Sequence, residues 1–139
     1  MQNTHHVAIG YLAWLFGCFG AHRFYFGKPL SGLIWFFTLG LLGIGWIIDI
    51  FLIPSMAEEA GRRYMAGETD YSTAWLLLFL GGAFGLHRFY MGDILWGILY
   101  LCTFGFLFFG VIYDILTLNE QISRINRSCA LQYVHARAY

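Results

Sequence analysis

Charge is scarce in this chain: Lys, Arg, Asp and Glu make up 12% of its 139 residues, too few to cover a water-soluble globule of that size. The charges that are present balance to zero, so no long-range field draws the chain to nucleic acid or to an acidic substrate. Proline is nearly absent, occurring only as Pro29 and Pro54. Cys18 and Cys102 fall inside apolar runs and Cys129 in a polar tail, which is no disulfide framework; they read as small buried hydrophobes and one free thiol. No nucleophile stands beside a base, no loop cradles phosphate, and no ligand quartet has zinc spacing. The sequence therefore predicts no catalysis, no cofactor and no metal.

What the chain has in abundance is apolar surface, 59% of residues hydrophobic and 20% aromatic. The apolar runs are Val7 to Ala21, Leu30 to Pro54, Ala74 to Leu86 and Ile94 to Leu118. A membrane helix needs about 20 residues, with about 17 as the lower end, so the second and fourth runs qualify and the first and third must borrow their ends. No run alternates with period two, and backbone in lipid must satisfy its own hydrogen bonds, so helices are expected. Val7 to Ala21 is read as mature protein, not a signal peptide, because no Lys or Arg precedes it and a sister run sits in mid-chain.

The runs are organised by a duplication. Gly17-Cys-Phe-Gly-Ala-His-Arg-Phe-Tyr-Phe-Gly27 returns as Gly82-Ala-Phe-Gly-Leu-His-Arg-Phe-Tyr-Met-Gly92, and half of the positions from Gly17 to Ile50 are identical in Gly82 to Ile115. Gly32, Thr38, Gly40, Gly45 and Asp49 recur as Gly97, Thr103, Gly105, Gly110 and Asp114. The expected fold is an all-α integral membrane protein, with four transmembrane helices as two parallel-repeat hairpins related by an axis along the membrane normal. Its boundaries are 1–54 for the first repeat, 55–71 for a polar linker, 72–118 for the second repeat and 119–139 for a polar C-terminal tail.

Local signals fill in that plan. Thr4 suits the N-cap of the first helix, and Pro29 the first turn of the second, where a missing N–H costs nothing. Ser55-Met-Ala-Glu58 has capping-box form and predicts a short linker helix closing near Gly67, with Glu58–Arg62 and Glu59–Arg63 pairs along it. The linker is read as a solvated connector in preference to an interfacial helix. Arg62, Arg63, Arg124, Arg127 and Arg137 fall on the face of the termini and linker, and Arg23, Lys28 and Arg88 on the face of the turns. The positive-inside rule then places termini and linker in the cytoplasm.

Two sets of residues stand out chemically. His22, Arg23 and Tyr25, with His87, Arg88 and Tyr90, sit at helix ends near the headgroups. They read either as turn anchors within an aromatic belt or as a paired site for a lipid headgroup or another anion, gripped by the guanidinium fork. Asp49 and Asp114 are carboxylates within apolar helices, and such groups usually face inward and have a partner. In a continuous helix Asp49 lies about 30 Å from the turn, at 1.5 Å per residue, where Arg62, Arg63, His5 or His6 would pair with it. If instead Gly40, Gly43 and Gly45 break the helix, Asp49 folds back towards Arg23, and a His and Asp cluster suited to a metal or a proton relay arises. Small residues let helices approach closely, so Gly17, Gly20, Gly40, Gly45, Gly82, Gly85, Gly105 and Gly110 are candidate packing positions.

The word Gly-x-Phe-Gly-x-His-Arg-Phe-Tyr-x-Gly, followed by Gly32, Thr38, Gly40, Gly45 and Asp49, resembles the TM-two domain, the two-transmembrane-helix family, over about residues 8 to 54 and again 72 to 118. The resemblance implies a small multi-pass protein of a bacterial inner membrane, in tandem form and without a settled activity. In animal relatives the Arg-Phe pair follows Asp and the hairpin turn is cytosolic; here His22 and His87 hold that position. The expected role is a structural or interaction subunit whose partners are membrane lipids and another membrane protein or a second copy. The alternative is a headgroup-binding or transport module.

Overall fold

The computed structural model describes residues 4–16 and 19–138. Gly17 and Cys18 lie outside the described residues. Every regular element among them is helical: α1 (Val7–Leu15), α2 (Ala21–Tyr25), α3 (Pro29–Leu42), α4 (Ile44–Arg63), α5 (Tyr71–Gly81), a 3₁₀ turn (Gly82–Phe84), α6 (Leu86–Tyr90), α7 (Ile94–Leu107) and α8 (Phe109–Arg137). They form two compact units that divide between Tyr64 and Met65.

The first unit turns on a break that the continuous-helix reading did not contain. At Leu39, Gly40 and Leu41 the backbone of α3 enters the left-handed region, and Gly43, at φ 83°, starts α4 in a new direction. Glycine adopts such angles freely, whereas leucine resists them by roughly 1–2 kcal/mol per residue. Thr38 supports the reversal from both sides, since its hydroxyl donates to the Ile34 carbonyl at 2.6 Å and accepts from the Leu41 N–H at 3.1 Å. It thus ends one helix and holds the first orphaned amide of the turn.

α4 runs back along α1. The stacked indoles of Trp14 and Trp46 donate to each other's backbone carbonyls, at 2.8 and 3.0 Å, and Tyr11 donates to the Ile50 carbonyl at 3.1 Å. Gly10 admits the ring of Phe26, where a Cβ would sit 2.3 Å from it. The far end of α4 meets the turn after α2: Lys28 pairs with Glu59 at 2.6 Å, and Arg63 and Tyr64 both donate to the Gly27 carbonyl. The Lys28 ammonium holds the Glu59 carboxyl below its ordinary pKa. Within this unit, therefore, turn and linker share one end. The expectation of opposite faces gives way, because the helix between them is folded back rather than straight.

Two smaller expectations also change. α4 passes through Pro54 without interruption, so Ser55 is interior to a helix and its hydroxyl donates to the Leu52 carbonyl; it caps nothing. α1 starts at Val7, and Thr4 hydrogen-bonds the ring of His5 instead of capping it. His5 is itself buried, packed against Tyr25, Phe26 and Tyr64.

The second unit repeats the device. α7 turns left-handed at Phe104, Gly105 and Phe106, with Thr103 donating to the Leu99 carbonyl and accepting from the Phe106 N–H. α7 and α8 then meet at 116°. Trp75, fully buried, donates to Asn119 of α8 at 2.7 Å. Asn126 holds the chain before α5 by donating to the Met65 and Thr69 carbonyls and accepting from the Thr69 N–H. Asp70 caps α5 through the Thr73 N–H at 2.8 Å. Among the described residues no single helix is long and apolar enough to cross a membrane; α7 and α8 qualify only together, across their bend.

Candidate functional site

The break in α3 brings Asp49 onto α2. Its carboxylate is wholly buried and accepts His22 Nε2 at 2.7 Å and Arg23 Nε at 3.0 Å on Oδ2, and Arg23 Nη2 at 2.5 Å on Oδ1. The guanidinium fork is thus bidentate on one carboxylate, the strongest form of this pair. Its face lies 3.7 Å above the ring centre of Trp35, a cation–π contact. Because Asp49 is the acceptor, His22 carries its proton on Nε2. Its Nδ1 and the indole N–H of Trp35 find no hydrogen-bond partner among the described residues.

The second unit builds the same lock with more polar support. His87 Nε2 and Arg88 Nε bond Asp114 Oδ2 at 2.6 and 3.1 Å, and Arg88 Nη2 bonds Oδ1. Tyr100, at the position of Trp35, donates its hydroxyl to Oδ2 at 2.6 Å, and Gln121, at the position of Met56, donates to Oδ1 at 3.1 Å. Each carboxylate oxygen of Asp114 is therefore occupied at least twice. Arg88 keeps Nη1 outside the pair, 3.4 Å from Asp93. A cavity of about 620 Å³ opens beside it, lined by Arg88, Asp93, Trp96, Tyr100, Gln121 and Arg124 among others.

Of the residues singled out in the sequence, His22 and Arg23 meet Asp49, and His87 and Arg88 meet Asp114. The partners expected for Asp49 from a continuous helix, Arg62, Arg63, His5 or His6, are not the ones it has. Tyr25 and Tyr90 do not join the locks. Two residues past Arg23 on a helical turn, Tyr25 points away and its hydroxyl accepts from the His6 N–H; Tyr90 accepts from the Asp70 N–H. The break also realises the condition for a His and Asp cluster, yet the guanidinium fills the place a cation would take, and no group of metal ligands forms among the described residues.

The candidate packing glycines among the described residues act inside their own unit. A Cβ on Gly20 or Gly85 would meet the backbone of Gly32 or Gly97, and one on Gly45 or Gly110 would strike Trp35 or Tyr100 within 2.8 Å. Gly40 and Gly105 carry the breaks, and Gly82 opens the 3₁₀ turn under Leu78. Trp35, Tyr100 and Gln121 were not foreseen. The shared aromatic type at Trp35 and Tyr100 was a usable signal; Gln121, in the polar start of the tail, offered none.

Residues 3–51 and 67–116 both match the TM2 domain, each match holding one complete His-Arg-Asp lock. The chain belongs to the TM2 domain family. It is 52% identical over 59 residues to a TM2 domain-containing protein of Dictyostelium discoideum, covering 42% of this chain and 39% of that protein. A second from the same organism is 44% identical over 55 residues, covering 39% and 40%. Human TM2 domain-containing protein 1 is 51% identical over 43 residues, covering 31% and 19%. These alignments take in two fifths or less of each relative's length, and all three relatives are eukaryotic. Their names state no enzymatic activity. No solved structure matches the chain. TM2 membership and the apolar helices make this a membrane protein.

Proposed function

We propose that this tandem TM2 protein is a non-catalytic structural or interaction subunit of the cytoplasmic membrane. The observation that carries the reading is the closure of both locks: Asp49 and Asp114 are each held by the His and Arg of their own unit, so neither intramembrane carboxylate stands free to act as a base. The exposed surface is apolar instead, with Leu42, Phe51, Leu80 and Leu107 all more than three quarters accessible. Surfaces of that kind belong in lipid or against another membrane helix, so the partners are membrane lipids and a second membrane protein or a second copy.

The four membrane segments form two parallel hairpins in this reading, each with its second segment broken. The Lys28–Glu59 pair favours insertion of the first hairpin with its turn on the linker side. With the linker cytoplasmic by charge, the turn is cytoplasmic too. Single cysteines at Lys28 and at Arg62, in a chain freed of its native cysteines, test this with an impermeant maleimide. Both should be protected in intact cells and labelled after permeabilisation. Labelling of Lys28→Cys alone from outside would restore the straight hairpin.

A second reading, a headgroup or anion site built on the repeated motif, is favoured by one observation in the second unit only: Arg88 borders a cavity and keeps part of its guanidinium outside the lock. Native mass spectrometry from nanodiscs separates the two, since a bound protein partner supports the first and bound lipid the second.

A further inference from the structure

We infer that the second repeat holds a site for a phosphoethanolamine group, a phosphodiester joined to a primary ammonium, in the cavity beside Arg88. The proposal rests on the headgroup reading above and narrows it to one unit and one ligand chemistry. The cavity falls within the range of small-molecule sites, about 300–1,000 Å³. Its charges are arranged as a dipole. Arg88 and Asp114 neutralise each other, leaving Asp93 and Arg124 as the unbalanced pair on its wall. Arg124 makes no ion pair among the described residues, while the Asp93 carboxylate, 45% exposed, touches only Arg88 Nη1 at 3.4 Å.

A simple anion would meet the repulsion of Asp93, and a simple cation that of Arg124. A zwitterion satisfies both. Its phosphate takes the Arg124 guanidinium and the outlying Nη1 of Arg88, and its ammonium takes Asp93. Trp96 and Tyr113, half-exposed on the same cavity, add aromatic faces for the ammonium.

The first unit shows what closing this site looks like. At the positions of Asp93 and Arg124 it carries Lys28 and Glu59, with the charges reversed and joined directly at 2.6 Å. Ser31 and Ile48 stand where Trp96 and Tyr113 stand. The two units thus differ at each of the positions that the dipole and its aromatic walls require.

The full chain, in nanodiscs of equal parts phosphatidylethanolamine, phosphatidylglycerol and phosphatidylcholine, is analysed by native mass spectrometry. Phosphatidylethanolamine should be retained about tenfold or more over both others, the effect of one charge-assisted hydrogen bond. The swap Asp93→Lys with Arg124→Glu, which recreates the pair of the first unit, should abolish that preference. So should the milder Trp96→Ser with Asp93→Asn, which keeps the fold if the swap does not. Detergent-purified protein titrated with glycerophosphoethanolamine identifies the source: binding there, lost in the variants, assigns a soluble ligand to the same site, whereas retention of lipid alone assigns the membrane headgroup. Equal retention of phosphatidylglycerol overturns the zwitterion and leaves a general anion site. Absence of any retained lipid or soluble ligand overturns both, and so does an unchanged preference in a well-folded variant.

Discussion

Asp49 follows His22 by 27 residues, yet its Oδ2 lies 2.7 Å from the His22 Nε2. The same separation and contact recur between His87 and Asp114 at 2.6 Å. A straight helix cannot bring these residues together; the left-handed turn at Gly40 and its equal at Gly105 do. A buried carboxylate gains from such contacts only if its partners stay in place. This sets the first expectation.

Asp49→Asn and Asp114→Asn should each destabilise the protein by about 3–5 kcal/mol, because an amide leaves a buried guanidinium without its counter-charge. A carboxylate lying near the interface of a straight helix would instead be partly interchangeable with Asn, since an amide can take over most of its hydrogen bonds. Thermal unfolding of the purified variants in detergent distinguishes the two: unfolding near the wild-type temperature would mean that the charge pair is dispensable.

The guanidinium fork matters for a related reason. Arg23 reaches both oxygens of Asp49 through Nε and Nη2, and a lysine ammonium reaches one. Arg23→Lys should therefore lose about one hydrogen bond to a charged group, roughly 1.5–3 kcal/mol, together with the stacking on Trp35. A turn anchor at the headgroups would accept lysine freely. Folded yield and melting temperature of Arg23→Lys decide between lock and anchor.

Thr38 and Thr103 provide an independent handle on the breaks. Valine at either position keeps the shape and removes the hydroxyl that serves Leu41 or Phe106. The expected cost is about 1 kcal/mol per site, the net contribution of one hydrogen bond. Thr103→Val should also loosen the approach of Gln121 and Tyr100 to Asp114, seen as faster hydrogen exchange at the start of α8. Unaltered exchange would detach the threonine from the lock.

Much of this was legible in the residues. The duplication marked two equivalent units; both Asp were conspicuous inside apolar runs, and both His-Arg pairs at the ends of such runs. What the sequence hid was their meeting. An apolar run reads alike whether its helix is straight or reversed, since periodicity reports faces and not direction. Three glycines from Gly40 to Gly45 each permit a break without demanding one, and only Gly40 and Gly45 recur in the second unit. The threonine directly before the turn was the further sign, visible as an identity between repeats but silent about its hydrogen bonds. Tyr25 and Tyr90 misled by adjacency, because neighbours on a short helix face different directions.

The fold-back itself is open to one direct distance measurement. Spin labels on Lys28→Cys and Glu59→Cys, in the chain freed of its native cysteines and reconstituted in nanodiscs, report their separation by double electron–electron resonance. The side chains of Lys28 and Glu59 touch at 2.6 Å, so the label distribution should peak at the short end of the accessible range. A straight helix from Pro29 onward would set these positions about 45 Å apart at 1.5 Å per residue, and a peak there would contradict the reversal at Gly40 and the lock that depends on it.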